Sequence, residues 1–357
     1  MGPSAIRPAR SSGYPVTGIS LFPNGFEDGS LFARRRSVIA TVPACAPDLS
    51  PFVDPAARPL DPAKFRHPLV TAKGERRAWV ELQRLETLWI NTGTLCNLAC
   101  QTCYIESSPT NDALVYPTLS EIEPYLDEAV ELGAREIGFT GGEPFMNRQI
   151  VPMIKAALDR GLEVIVLTNA MRPMRRFEAE LQPLAQQAVT LRVSLDHYSR
   201  RMHELERGAG SWEKALDGLR WLCDHRFRIA VAGRVLPGES DREARAGYHR
   251  LFEALGLIVD GGLTIFPEMD ALADVAEIGE GCWDILGVSP AAPMCATSRM
   301  IVKSKGDERP HVVACTLLPY DRQFALGATL NTAHKRVMLN HPHCARFCVL
   351  GGASCSG

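Results

Sequence analysis

The sequence predicts an α/β fold: a partial (β/α)6 barrel followed by a small Cys-rich C-terminal domain that contains a β-hairpin. Three observations predict it. Short apolar, strand-like runs alternate with amphipathic helical stretches from about residue 86 to 270, the pattern of a parallel sheet with helices outside. Six such units are too few to close an eight-unit barrel, so the barrel is expected to stay open. Beyond residue 270 the alternation stops and cysteines accumulate, five of the eleven lying between Cys295 and Cys355.

Residues 1–85 read as a Pro-rich N-terminal extension. The first 70 residues hold eleven of the 25 prolines and show little periodicity, which suits an extended arm or irregular wrap. Residues 86–270 form the predicted core domain. Its first strand is the apolar run at 88–92. A helix is predicted at 118–133, where Thr118 and Glu121 make a capping box, Leu119, Ile122, Leu126 and Val130 one stripe, and Gly133 a C-cap. Further strands are predicted at 136–140, 163–168, 191–195, 229–235 and 263–266. Helices are predicted at about 147–161 and from Ser211 onward, with Ala215, Leu219 and Leu222 as the stripe. Residues 271–357 form the C-terminal domain, with a hairpin of 300–305 and 311–317 around Gly306-Asp307.

Bulk properties narrow the function. A net charge of −2 gives no basic field, so a nucleic-acid partner is not expected. No run reaches the roughly 18–20 apolar residues of a bilayer span, so no membrane association is expected. Arg7 and Arg10 lead into no apolar stretch, and Ile6 stands where a myristoylation motif wants Ser or Thr. A cytoplasmic protein is the expectation. In that setting cysteines clustered at short spacing argue for metal or iron–sulfur ligation over disulfides. Cys45 and Cys223 stand apart and read as packed thiols.

Cys96-x3-Cys100-x2-Cys103 places three thiolates within eight residues after the first strand. A [4Fe–4S] cubane has four irons, so three protein ligands leave one iron open for chemistry. A zinc site is the alternative, but it wants a fourth nearby Cys or His, and none lies between Asn91 and Asp112.

At this point residues 86–270 resemble the radical S-adenosylmethionine (SAM) superfamily. The resemblance implies that the open iron chelates SAM, which is cleaved reductively to a 5′-deoxyadenosyl radical that abstracts hydrogen. One residue departs from the pattern: Thr102 precedes the third cysteine where an aromatic residue is usual, and Tyr104 would compensate. Gly141-Gly142-Glu143-Pro144 after the second strand looks like the motif that binds the methionine ammonium, with Glu143 the anionic acceptor. Asn169 at the third strand's end resembles a ribose contact. Ser194 and Asp196 end the fourth strand on one face, and Ser194 resembles a contact to ribose or methionine carboxylate. Arg234 would pair with that carboxylate. Glu268, Asp270, His197, Tyr198 and His203 stay open between substrate-facing and surface roles.

The C-terminal cysteines resemble SPASM and twitch extensions that carry auxiliary [4Fe–4S] clusters. A full SPASM domain has seven ligands, so one auxiliary cluster is expected here, held by Cys295, Cys315, Cys344 and Cys348, with Cys355 able to replace one. Zinc is the alternative, with His341 and His343 beside Cys344. The resemblance implies an enzyme that uses SAM to oxidise, cross-link or rearrange a small molecule. The alternatives are a peptide maturase of the same chemistry and a non-catalytic electron-transfer protein. An electron donor such as a flavodoxin or ferredoxin is the implied partner.

Overall fold

In the computed structural model, which describes residues 49–267 and 269–355, six parallel strands run in sequence order: β1 (Thr87–Asn91), β2 (Glu136–Thr140), β3 (Glu163–Thr168), β4 (Val189–Ser194), β5 (Arg228–Arg234) and β6 (Leu263–Phe266). Cys45, Glu268 and the first 48 residues of the Pro-rich extension lie outside the described residues. The register aligns carboxyl ends: Asn91 sits opposite Thr140, Phe139 opposite Val166, and Arg234 opposite Phe266. All the strand-end motifs therefore share one rim.

β1 is buried on both faces, as a strand covered by helices must be. Trp89 packs against bare backbone at Gly138, where an added Cβ would stand 2.3 Å from the indole. Outside run α1 (Leu119–Glu131), α2 (Ile150–Leu158), α3 (Arg200–Arg207), α4 (Ser211–Asp224) and α5 (Asp241–Leu255). The carboxylate of Glu121 accepts from the Thr118 backbone N–H at 2.8 Å, the reciprocal half of the capping box. The second helix, expected at about 147–161, spans only Ile150–Leu158, because Asn147 is extended (ψ 118°) and the chain turns before Ile150.

Two of the longer helices escaped the sequence reading, as did short helical turns at Arg172–Arg175, Glu178–Leu181 and Cys282–Leu286. α3 buries His203 and Glu206 and carries no apolar stripe, so hydrophobic periodicity cannot reveal it. α5 did have readable signals: a capping box at Ser240 and Glu243, a stripe of Ala244, Tyr248 and Phe252, and a left-handed Gly256 C-cap.

The C-terminal hairpin joins the same sheet. β7 (Ser298–Val302) lies parallel beside β1, and β8 (His311–Val313) and β9 (Ala325–Gly327) continue antiparallel, giving the order β9-β8-β7-β1-β2-β3-β4-β5-β6. The sheet stays open, with β6 and β9 as its outer strands. Residues 79–80 pair antiparallel with 337–338, and buried Arg77 bonds Glu277 at 2.6 Å, so the end of the extension is stitched to the C-terminal region. Among the described residues no helix is long and apolar enough to cross a membrane.

Candidate functional site

The cysteine loop leaves β1 at the sheet's carboxyl rim and is clamped from two sides. On one side the Gly-Gly-Glu-Pro turn meets it: Gly142 N–H donates to Gly93 O at 2.7 Å and Glu143 N–H to Leu95 O at 3.2 Å. Glycine is required there. Gly141 has φ 144°, and a Cβ on Gly142 would stand 2.3 Å from Leu95 O. On the other side α3 reaches over. Glu206 Oε1 accepts from Thr102 N at 2.9 Å and from Thr102 Oγ1 at 2.8 Å, and Glu206 O accepts from Gln101 N at 3.0 Å. Thr102, the departure from the family pattern, is thus the loop's handle on α3.

Cys96, Cys100 and Cys103 open on one cavity of about 580 Å³, together with Tyr104, Gly141, Gly142, Asn169 and Ser194. Eight residues singled out in the sequence therefore converge. Arg207 and Ser107 join them and were not foreseen. Arg207 arrives at the end of α3, about one hundred residues from the loop, and no motif announces it. Its guanidinium holds Asp196 through two bonds, Nε–Oδ2 at 2.6 Å and Nη2–Oδ1 at 3.2 Å. Ser107 has a buried hydroxyl with no partner among the described residues. Burial pushes the Cys96 thiol up to about 12 and Cys100 to about 11, with the nearby Arg207 charge opposing the rise. Such thiols stay protonated until a cation takes their sulfurs.

Four expected contacts sit elsewhere. Glu143 is buried and does not line this cavity. Its carboxylate accepts from Asn169 N at 2.8 Å, Thr168 Oγ1 at 2.8 Å and Phe145 N at 3.2 Å, tying the ends of β2 and β3 together. Burial raises its pKa to about 7 despite those bonds. Asp196, Arg234 and Cys355 line an adjoining cavity of about 730 Å³ instead. There Arg234 donates to Thr102 Oγ1 at 2.7 Å, lies 3.4 Å from Glu206 Oε1 and stacks 4.2 Å over the Phe52 ring. Cys100, Cys103, Tyr104, Ser194 and Arg207 border both cavities. Of the residues left open, Asp270 caps its own loop through Leu272 N, and His197 faces Glu239 at 3.6 Å. Buried His203 lies edge-on to Trp212. Tyr198 donates to Glu239 Oε1 at 2.7 Å.

A third cavity, about 400 Å³, gathers Cys295, Cys315, Cys344 and Cys348 with His343 and otherwise apolar side chains. Burial raises Cys295 to about 11 and Cys315 to about 12, and drives Cys344 and Cys348 up as well. Cys355 points elsewhere, its sulfur accepting from Thr316 Oγ1 at 3.3 Å. Among the described residues no three Cys, His, Asp or Glu groups stand in single-metal-ion geometry. Zinc thiolates would lie within about 4 Å of one another.

Comparison with known proteins places the fold. Residues 90–250 match the radical SAM superfamily profile. The chain carries a radical SAM domain. The antilisterial bacteriocin subtilosin biosynthesis protein AlbA of Bacillus subtilis (strain 168) is 30% identical over 141 residues, covering 39% of this chain and 31% of AlbA. GTP 3',8-cyclase of Paracoccus denitrificans (strain Pd 1222) is 25% identical over 241 residues, 65% of this chain and 59% of the cyclase. The chain thus spans less than two thirds of these curated relatives. Streptococcus suis SuiB bound to precursor peptide SuiA superposes with TM-score 0.54 at 13% identity, over 71% of this chain and 66% of SuiB. The anSMEcpe structure with bound AdoMet gives 0.53 at 13%, over 73% and 82%. Both likenesses concern the fold. A [4Fe–4S] cluster and SAM are the cofactors of radical SAM domains. Three convergent thiols, a close-packed glycine turn, an unpartnered hydroxyl and a cation beside them fit such a pair.

Proposed function

We propose that this protein is a radical SAM enzyme whose cluster is held by Cys96, Cys100 and Cys103, with SAM lying in the cavity shared by Tyr104, Gly141, Gly142, Asn169 and Ser194. The observation that carries the reading is the convergence of three strand-end motifs and the cysteine loop on one cavity. When bound, the cluster supplies the electron that cleaves SAM and generates a hydrogen-abstracting 5′-deoxyadenosyl radical. The chain's own residues orient and enclose. Gly142 and Glu143 fix the cysteine loop through Gly93 and Leu95. Arg207, its charge matched by Asp196, is held against the wall beside the cysteines. Asn169 donates to Asn97 Oδ1 at 2.9 Å, keeping its side chain at the cavity wall.

The adjoining cavity is the substrate chamber in this proposal. Its cations are already matched, Arg207 by Asp196 and Arg234 by Glu206, which disfavours a polyphosphate. Leu167, Phe266, Met269, Leu317 and Phe347 make the rest of the wall apolar. An uncharged, largely apolar group is the best match, on a small molecule or on a peptide side chain. The AlbA likeness favours the peptide. Cys295, Cys315, Cys344 and Cys348 hold one auxiliary cluster, twitch-like, which points to net oxidation, cross-linking or rearrangement. A flavodoxin- or ferredoxin-type donor would reduce the SAM-binding cluster. Dithionite-reduced, reconstituted protein incubated with SAM should release 5′-deoxyadenosine. Intact clusters with none of that product would refute the enzyme reading.

A further inference from the structure

We infer that Arg299 is the buried counter-charge of the auxiliary cluster and holds that cluster's reduction potential up. The inference rests on the reading of Cys295, Cys315, Cys344 and Cys348 as cluster ligands, and it concerns what this chain built behind them.

Arg299 lies in β7 with 1% of its surface exposed. Its Nε donates to Ala333 O at 3.1 Å, and its Nη1 donates to Cys295 O at 2.6 Å and Ser298 O at 2.8 Å. Nη2 is buried with no partner among the described residues. Carbonyls satisfy hydrogen-bonding capacity without cancelling charge. Three other arginines are buried among the described residues, and each has a carboxylate acting on it: Arg77 has Glu277, Arg234 has Glu206, and Arg192 has Glu136 beside the Cys355 thiol. Among the described residues Arg299 has only the thiols of Cys295 and Cys315. Burying a guanidinium without a counter-charge costs several kcal/mol. Protonated thiols cannot relieve that cost, because they are neutral. Four thiolates around an iron–sulfur cluster carry net negative charge, and more of it after reduction. A fixed cation beside them stabilises the reduced state more than the oxidised one.

A second feature points the same way. His343 lines the same cavity, is 6% exposed, and has a buried Nδ1 with no partner among the described residues, in a cavity wall that is otherwise thiol and apolar. A polar nitrogen left unmatched in such a wall is explained by an acceptor or donor that fills the cavity. Hydrogen bonds to cluster sulfurs also raise potential.

The test uses full-length Cys96→Ala/Cys100→Ala/Cys103→Ala protein, so that only C-terminal iron reports, with potentiometric EPR titration as the readout. Arg299→Met should shift the midpoint to a more negative potential, and Arg299→Lys should retain most of the parent's value. His343→Phe should give a smaller negative shift. In urea, iron-free Arg299→Met should unfold at no lower midpoint than its iron-free parent, since it loses an uncompensated charge. Loss of iron in Arg299→Met but not in Arg299→Lys, with both apoproteins folded, supports the inference equally. An unchanged potential in iron-bearing Arg299→Met overturns it, as does a less stable apoprotein with unchanged potential, which marks a scaffold residue. Absence of iron from the triple-cysteine background itself overturns the auxiliary-cluster reading, and the role of Arg299 with it.

Discussion

Cys96, Cys100 and Cys103 reach their cavity from a single loop, whereas Cys295, Cys315, Cys344 and Cys348 are delivered by a 3₁₀ turn, the end of a hairpin and a wide helical turn. The first site faces polar groups and an adjoining chamber. The second is walled by apolar side chains apart from His343. The difference separates two jobs. A site that must admit a polar, charged cofactor needs an open rim with glycine turns and hydrogen-bonding ends. In the proposed reading, the second site only holds a cluster and passes electrons, and is served by exclusion of water with charge supplied from behind by Arg299.

The comparison breaks first on cysteine replacement, where the effect is largest. Reconstituted protein should hold about eight irons, and Cys96→Ala/Cys100→Ala/Cys103→Ala should lose about four together with all 5′-deoxyadenosine formation. Replacing Cys295, Cys315, Cys344 and Cys348 by Ala should remove the other four while SAM cleavage persists. Iron loss that does not divide this way would merge the two sites into one.

Next in size is Glu206→Ala. It strips half-buried Thr102 of its acceptor and leaves buried Arg234 without its carboxylate. Breaking a buried pair from one side costs about 3–5 kcal/mol. Urea unfolding should show that loss, and iron should leave the Cys96 site before the C-terminal one. Equal loss from both would deny that α3 clamps the loop.

Glu143→Gln acts through pH. The folded carboxyl titrates near 7 because burial disfavours its charge, against roughly 4.3 unfolded. A raised folded pKa contributes stability that is complete below the unfolded value and fades as pH rises through the folded one. The iron-free protein should therefore lose stability between about pH 4.5 and 7, by about 3 kcal/mol. Glu143→Gln should flatten that slope. An unchanged profile would place the titration on another group.

The smallest effect belongs to Thr316→Val. It removes the hydroxyl bonded to the Cys355 sulfur, a change of about 1 kcal/mol. Iron content should not move, because Cys355 lines the cavity of about 730 Å³ rather than the one that gathers the other four cysteines. A loss of iron would return Cys355 to the ligand set.

The sequence by itself determined the six parallel strands, the hairpin, the three-cysteine loop and the residues that meet it at the rim. These are legible because strand ends and short motifs are local: apolar runs bounded by Gly-Gly-Glu-Pro or Thr-Asn state their own position along the chain. Only the tertiary structure decided the rest. The polar helix α3 leaves no hydrophobic period to read, yet it supplies Glu206 to the loop and Arg207 to the cavity. Glu143 faces inward to Thr168 and Asn169 rather than into the cavity, Arg234 is bound to Thr102, and Cys355 turns toward Thr316. Each of those partners lies at least 25 residues away, and pairings at that range are set by packing and by the cost of burying charge, which no local pattern encodes.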